Sequence, residues 1–173
     1  MSLKDRTIVD ADLKKIGLGS GVWNLHKGLN ENCPFRTIFR FRVHEESVFK
    51  YALIQWPYKP LQDLELSSKN GIGEGLAIWH GYGAVIHCNK IGKNCQFFQN
   101  VTIGKGKYQG NGTPIANIGN GVSVYTGAII IGGVTIGDNC NIGAGAVVTK
   151  DVPPNCTVVG NPMRIIQHED KKC

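Results

Sequence analysis

The chain has 173 residues, a formal net charge of +6 and 18% charged residues, which suits one domain, or one with a small extension, and argues against disorder. Its 23 glycines are about twice the usual share but follow no G-X-Y period, so collagen is excluded. Charge is spread evenly, ten Lys/Arg against seven Asp/Glu in residues 1–64 and nine against six in 65–173, so no basic stripe marks a nucleic-acid partner.

Residues 1–64 carry no repeat. The N-terminus is polar and lacks the apolar centre of a signal peptide, and no run reaches the ~18 apolar residues of a membrane span. A cytoplasmic protein is the expectation. Phe35, Ile38, Phe39 and Phe41, and then Val48, Phe49, Ala52 and Leu53, predict two helical pieces. Pro57 and Pro60 end the second. This segment is expected to cap the remainder of the chain and to make subunit contacts.

From about Leu66 onward the sequence has a period of six. Leu66, Ile72, Ile78 and Ala84 open it. Val85, Ile91, Phe97 and Ile103 continue one residue out of phase. Ile118, Val124, Ile130, Ile136, Ile142 and Val148 then run without a break. Two residues before the later members stand Val122, Ala128, Val134, Cys140 and Ala146, and positions i−2 and i of a strand face the same side. Each unit therefore reads as a short strand with two inward side chains, then a turn that glycine makes, as in Ile118-Gly119, Ile136-Gly137 and Ile142-Gly143. A helix fits poorly at this glycine density. Three units make one triangular coil, and four to five coils stacked at ~4.8 Å give a prism of about 20 Å.

Between Ile103 and Ile118 the step is 15, not a multiple of six. Gly104 to Asn117 reads GKGKYQGNGTPIAN, a polar loop thrown out of a coil, either functional or tolerated surface drift. After Val148, Asp151-Val152-Pro153-Pro154 breaks the repeat, Val158 to Gly160 make a last partial turn, and residues 167–173 form a charged tail. Six cysteines show no CxxC pair, which speaks against a zinc knuckle. Cys95 and Cys140 fall on inward positions and read as buried thiols in a reducing compartment.

Of five histidines, only His80 and His87 lie inside the coils. His80, in Ile78-Trp79-His80-Gly81-Tyr82-Gly83, falls near a corner beside glycines that let a ligand approach. A neutral imidazole there can take a hydroxyl proton; a surface histidine with no role is the alternative. Glu65, 15 residues earlier, is expected one coil below, holding the imidazole Nδ1–H and leaving Nε2 as base. A solvated carboxylate is the alternative there, and Asp63 a weaker rival. Two coil histidines are too few for a three-histidine zinc site, so no metal is expected.

The stretches IGEGLAIWHGYGAVI, VTIG, IGNGV, IGAGAVV and KDVPPNCTVVGNPMRII make residues 65–166 resemble the serine acetyltransferase branch of the hexapeptide-repeat acyltransferases. The resemblance implies a mainly β fold, a left-handed parallel β-helix over 65–166 behind a short helical cap. It implies an acetyl-CoA-dependent O-acetyltransferase in which His80 deprotonates the acceptor, Glu65 orients His80, and the hydroxyl attacks the thioester directly. It also implies a homotrimer with coenzyme A between neighbouring subunits. Gly104, Gly127, Ala128, Ala144 and Ala146 match the small residues lining that groove, and Lys150 or Arg164 is placed to meet phosphates.

The sequence departs from that branch at two places. Trp79 stands where those enzymes carry Asp before the histidine, and GNGTPIAN lacks their Arg-His-Pro. Without those residues, the charges of a bound serine are left unpaired. Histidine followed by Gly-Tyr, Glu65 in place of Asp, and a short N-terminal segment look more like colanic acid and capsule acetyltransferases. The acceptor is thus expected to be a sugar of a surface polysaccharide or its precursor. Trp79 and Tyr82 would stack on it or serve packing, with Gln99 as a further acceptor contact. The alternatives are L-serine as acceptor, or a non-catalytic β-helix binding module.

Overall fold

The structure, a computed structural model, describes residues 3–46 and 57–167. From Leu64 the chain winds through three walls of parallel strands. The first is β1 (Leu64–Ser68), β3 (Ala84–Cys88), β6 (Thr102–Gly104), β9 (Ile129–Ile131) and β12 (Val147–Val148), hydrogen-bonded in that order. The second is β4 (Lys90–Ile91), β7 (Asn117–Ile118) and β10 (Thr135–Ile136), extended by bridges from Ile72 to Ile91 and from Ile136 to Val152. The third is β2 (Ala77–Ile78), β5 (Gln96–Phe97), β8 (Ser123–Val124), β11 (Asn141–Ile142) and β13 (Cys156–Val159), closed by the antiparallel β14 (Arg164–Gln167). This is the parallel β-helix that the six-residue period implies.

The inward ladder is dry. Ile86, Ile103, Ile130 and Val148 on the first wall, and Phe97, Val124, Ile142 and Val158 on the third, are fully buried. Cys95 and Cys140 sit among them as read from the sequence, joined by Cys88 and Cys156. In the last coils the register step is 18 residues, as between Ile130 and Val148. Ile91 pairs with Ile118, 27 residues on, so the 104–117 loop adds nine residues to its coil and leaves the register intact.

Two details of the repeat differ from expectation. Val85 does not point inward: it is 38% exposed, and Ala84, Ile86 and Cys88 are the buried residues of β3. The cause is the corner before β3. Ile86 follows Ile78 by eight residues where a regular unit needs six, and Ile91 follows Ile86 by only five, so the one-residue change of phase is a corner lengthened by two followed by a unit shortened by one. The glycine after each inward isoleucine also has a different task. A Cβ on Gly92 would lie 2.4 Å from the Gly119 carbonyl oxygen of the next coil, so glycine is needed there for close stacking. The turn itself falls two residues later, at Asn94, Gly121 and Asn139, all with φ between 56° and 65°. Asparagine is the side-chain-bearing residue that best tolerates this left-handed conformation.

Three helices precede the coils: α1 (Leu3–Lys15), α2 (Val22–Glu31) and α3 (Cys33–Glu46). The piece predicted from Phe35 to Phe41 lies within α3, whereas α1 and α2 have no counterpart in the sequence pattern. The piece predicted at Val48–Leu53 lies outside the described residues. Val9, Leu13, Leu29, Phe35, Phe39 and Val43 form a second core, and Ile38 reaches into the coil core.

The first coil has no coil beneath it, so its backbone groups need other partners. The buried Arg42 and Asp12 supply them. Arg42 donates to the carbonyl oxygens of Ile72 and Gly73, the latter at 2.6 Å. Asp12 Oδ1 accepts the Leu76 N–H at 2.8 Å. The two side chains join through Arg42 Nε and Asp12 Oδ2 at 3.1 Å. Burial pushes the Asp12 carboxyl above its usual range, opposed by the Arg42 charge and by N–H groups from the coil.

Candidate active site

The lengthened corner carries His80. Its backbone has φ 63°, and Gly81 and Gly83 beside it are also left-handed. Among the described residues the other side-chain-bearing residues with positive φ are all asparagines. The conformation costs a histidine about 1–2 kcal/mol, and strain of this kind gathers where a site imposes it. The corner is pinned on both sides. Trp79 donates its N–H to the Phe97 carbonyl, and Asn100 donates to the Tyr82 carbonyl, both at 2.8 Å. On the cap side a Cβ at Gly81 would meet Leu61, Leu64 and Pro34 at 3.2–3.3 Å. The fold thus holds the backbone of His80 rigidly and leaves its imidazole exposed.

Glu65 stands on β1, opposite Val85 in register, with its side chain exposed. It is one coil below and beyond the corner, as expected. Among the described residues neither Glu65 nor His80 makes a side-chain hydrogen bond or ion pair, so the expected Glu65–imidazole contact is not formed in this structure. His87 lies elsewhere, on the outer face of the first wall, where its Nδ1 pairs with Ser67 Oγ at 2.5 Å. Among the described residues no three His, Cys, Asp or Glu side chains converge.

Next to the corner, Trp79 is half-buried and its indole N–H donates to Gln96 Oε1 at 3.2 Å. Gln96 Nε2 donates in turn to Ser123 Oγ at 2.8 Å. One coil further, Phe98 and Tyr125 stack with ring centroids 5.2 Å apart. Tyr82 projects outward, 58% exposed. Gln99 lies one coil above the corner that carries His80, stacked on Tyr82, and its side-chain oxygen is buried without a hydrogen-bond partner.

The residues matched to the coenzyme A groove fall in two places. Gly127, Ala128, Ala144 and Ala146 continue the His80 corner upward, Gly127 N–H donating to the Gln99 carbonyl at 3.2 Å. A Cβ at Gly127 would meet nothing within 4 Å, so its outer side is open, and Ala144 is exposed. Ala128 and Ala146 point into the core, and their N–H and C=O groups all pair within the coils. They keep the wall thin and offer no free group. Gly104 and Lys150 lie at the opposite edge of the first wall, and the exposed Arg164 lies on β14. The 104–117 loop also leaves from that opposite edge. It folds onto the later coils, Gly133 donating to the Lys107 carbonyl at 2.9 Å and Gln109 to the Thr149 carbonyl at 3.3 Å. One chain therefore does not bring His80 and the loop together.

Residues 115–150 match the family model for the bacterial transferase hexapeptide, six repeats. Over 108 residues the chain is 44% identical to a serine acetyltransferase of Synechococcus elongatus, covering 61% of this chain and 43% of that one. A serine acetyltransferase of Helicobacter pylori is 39% identical over 105 residues, 60% of each chain. The crystal structure of Neisseria gonorrhoeae serine acetyltransferase superposes with a TM-score of 0.73 at 27% identity, covering 99% of this chain and 68% of that one. Over these residues the chain is similar to serine acetyltransferases. It spans about half the length of the curated relatives it matches.

This likeness corrects the expected acceptor. Trp79 and the 104–117 loop depart from the serine-reading pattern, and His80-Gly81-Tyr82, Glu65 and the short N-terminal segment point to a closeness with colanic acid and capsule enzymes and so to a sugar. The relatives and solved structures named above are instead serine acetyltransferases, and a second Neisseria gonorrhoeae structure, at 26% identity and TM-score 0.69, is in complex with serine. The departures at Trp79, Glu65, the loop and the N-terminal segment do not outweigh a match of 108 residues at 44% identity. No described helix is long and apolar enough to cross a membrane.

Proposed function

We propose that this protein is a serine O-acetyltransferase, moving an acetyl group from acetyl-CoA to the hydroxyl of L-serine. The observation that carries the reading is the His80 corner: a strained, backbone-pinned histidine with an uncommitted imidazole, in a chain whose relatives bear that activity. His80 Nε2 takes the serine hydroxyl proton as the oxygen attacks the thioester carbonyl. The new C–O bond forms, the C–S bond breaks, and the proton passes to the departing thiolate. Glu65 turns toward the imidazole once substrate excludes water and holds its Nδ1–H, which keeps Nε2 as the base.

For acetyl-CoA, the open outer side of Gly127 and the exposed Ala144 offer a thin wall for a narrow arm, while Gly104 and Lys150 stand at the far edge of the first wall and Arg164 on β14 of the third. Ala128 and Ala146 contribute by their size. Because His80 and the 104–117 loop occupy opposite edges of one wall, a homotrimer would supply the loop from a neighbouring subunit. A cytoplasmic location fits the need for acetyl-CoA and the unpaired buried thiols.

The test is release of free thiol from acetyl-CoA by the purified protein with L-serine. Steady turnover, abolished in His80→Ala, is the expected result. A folded protein that binds acetyl-CoA but leaves serine untouched would overturn the reading. Light scattering should give the mass of three chains or a multiple.

A further inference from the structure

Two glutamines stand three residues apart on one coil, and the fold treats them differently. Gln96 is held at both ends of its amide, by Trp79 and by Ser123. Gln99 is held at neither. Its oxygen is buried and unpaired, and among the described residues its amide nitrogen has no side-chain partner. A buried acceptor without a donor is uncommon and needs a cause. The position supplies one. The hydrogen bonds from Trp79 to Phe97 and from Asn100 to Tyr82 bracket the segment His80–Gly81 on one coil and Phe98–Gln99 on the next. Gln99 therefore stacks on Tyr82, as Phe98 does on Trp79, and His80–Gly81 is the extra pair of residues at that same corner one coil below. Because neither end of the amide is bonded, turning it about its last side-chain bond exchanges oxygen and nitrogen at little cost. The oxygen can then face the open side of the corner.

We propose that Gln99 is a specificity residue of this site and that its side-chain carbonyl accepts a hydrogen bond from the ammonium group of the acceptor. The inference rests on L-serine being the acceptor and names what reads its amine. Trp79 offers the ammonium no hydrogen-bond acceptor, since its one polar group is a donor and is spent on Gln96. An ammonium placed against Gln99 gives the orphan oxygen its donor and holds the serine hydroxyl over the corner that carries His80.

The experiment pairs two variants with two ligands. Gln99→Leu keeps the bulk and removes the oxygen; Gln99→Glu keeps an oxygen acceptor. The ligands are L-serine and 3-hydroxypropionate, which has the same carboxylate and hydroxyl but no amine, used as substrate or as competitor. Gln99→Leu should raise the KM for serine about 10- to 100-fold, the range for a hydrogen bond to a charged group, with kcat and the KM for acetyl-CoA little changed. Its affinity for 3-hydroxypropionate should match that of the unaltered protein, and Gln99→Glu should restore serine binding. If Gln99→Leu weakens both ligands equally, the residue packs the corner and the inference fails while serine acetylation stands. If the unaltered protein does not acetylate serine, both fail together.

Discussion

Arg42 and Asp12 replace a missing coil: one donates to the free carbonyls of Ile72 and Gly73, the other accepts the free N–H of Leu76, and each neutralises the other. Removing one partner leaves the other charged, buried and unpaired. Asp12→Ala should therefore cost about 3–5 kcal/mol of stability, read as a lower urea midpoint. A double replacement by well-packed apolar residues should cost less, because no bare charge is then left behind.

His80 combines strain with an unengaged side chain. Asparagine tolerates the left-handed conformation that histidine resists. His80→Asn should keep or raise the melting temperature while lowering kcat with serine by roughly 10²- to 10⁴-fold, the range for loss of a general base. A variant that melts much earlier than the parent would show that the imidazole holds the corner together, against the role given to it.

Gly92→Ala tests the stacking argument. The added methyl would lie 2.4 Å from the Gly119 oxygen, and backbone in mid-prism has no room to withdraw. A loss of about 1–3 kcal/mol or more is expected. Gly127→Ala meets no atom within 4 Å, but strains a turn with φ 68°. It should cost about 1–2 kcal/mol on the left-handed penalty alone and should also weaken acetyl-CoA binding.

Burial raises the Cys95 thiol from 9.0 to about 11 and pushes Cys88 up further. The folded chain therefore holds protons that the unfolded chain has released. The stability tied to Cys95 is complete below about pH 9 and is lost as pH rises toward 11, a total of about 2–3 kcal/mol at 1.36 kcal/mol per pKa unit. Urea titrations across that window should show the decline, and Cys95→Ala should make it shallower, Cys88 supplying the remainder. In the native state Cys88, Cys95, Cys140 and Cys156, all buried, should resist a thiol reagent that labels the half-buried Cys33.

The coil architecture was legible because its period is written in inward side chains: Ile118 to Val148 read straight onto buried positions. Val85 misled because a two-residue lengthening followed by a one-residue shortening looks like a single shift of phase until Ile86 is seen inside. His80 and Glu65 were legible by position, but the strain at His80 was not, since backbone angles leave no mark on residue type there. The cap was harder. α2 contains Gly28, a residue that lowers helix propensity, and the reason for it is tertiary: a Cβ there would lie 2.9 Å from Leu13 and 3.1 Å from Phe35. The orphan oxygen of Gln99 was equally invisible, because satisfaction of a polar group depends on neighbours a full coil away.

The excursion from Gly104 to Asn117 adds nine residues to its coil, yet Ile103 pairs with Ile130 and Ile118 with Ile136 as if it were absent. Its two ends re-enter the wall at fixed points, and the load of folding is carried by the strands on either side. The segment is in effect a cassette. Its length and chemistry are open to replacement without renumbering the ladder beneath, which lets one rigid prism be refitted for a new small molecule by exchanging a single stretch of chain.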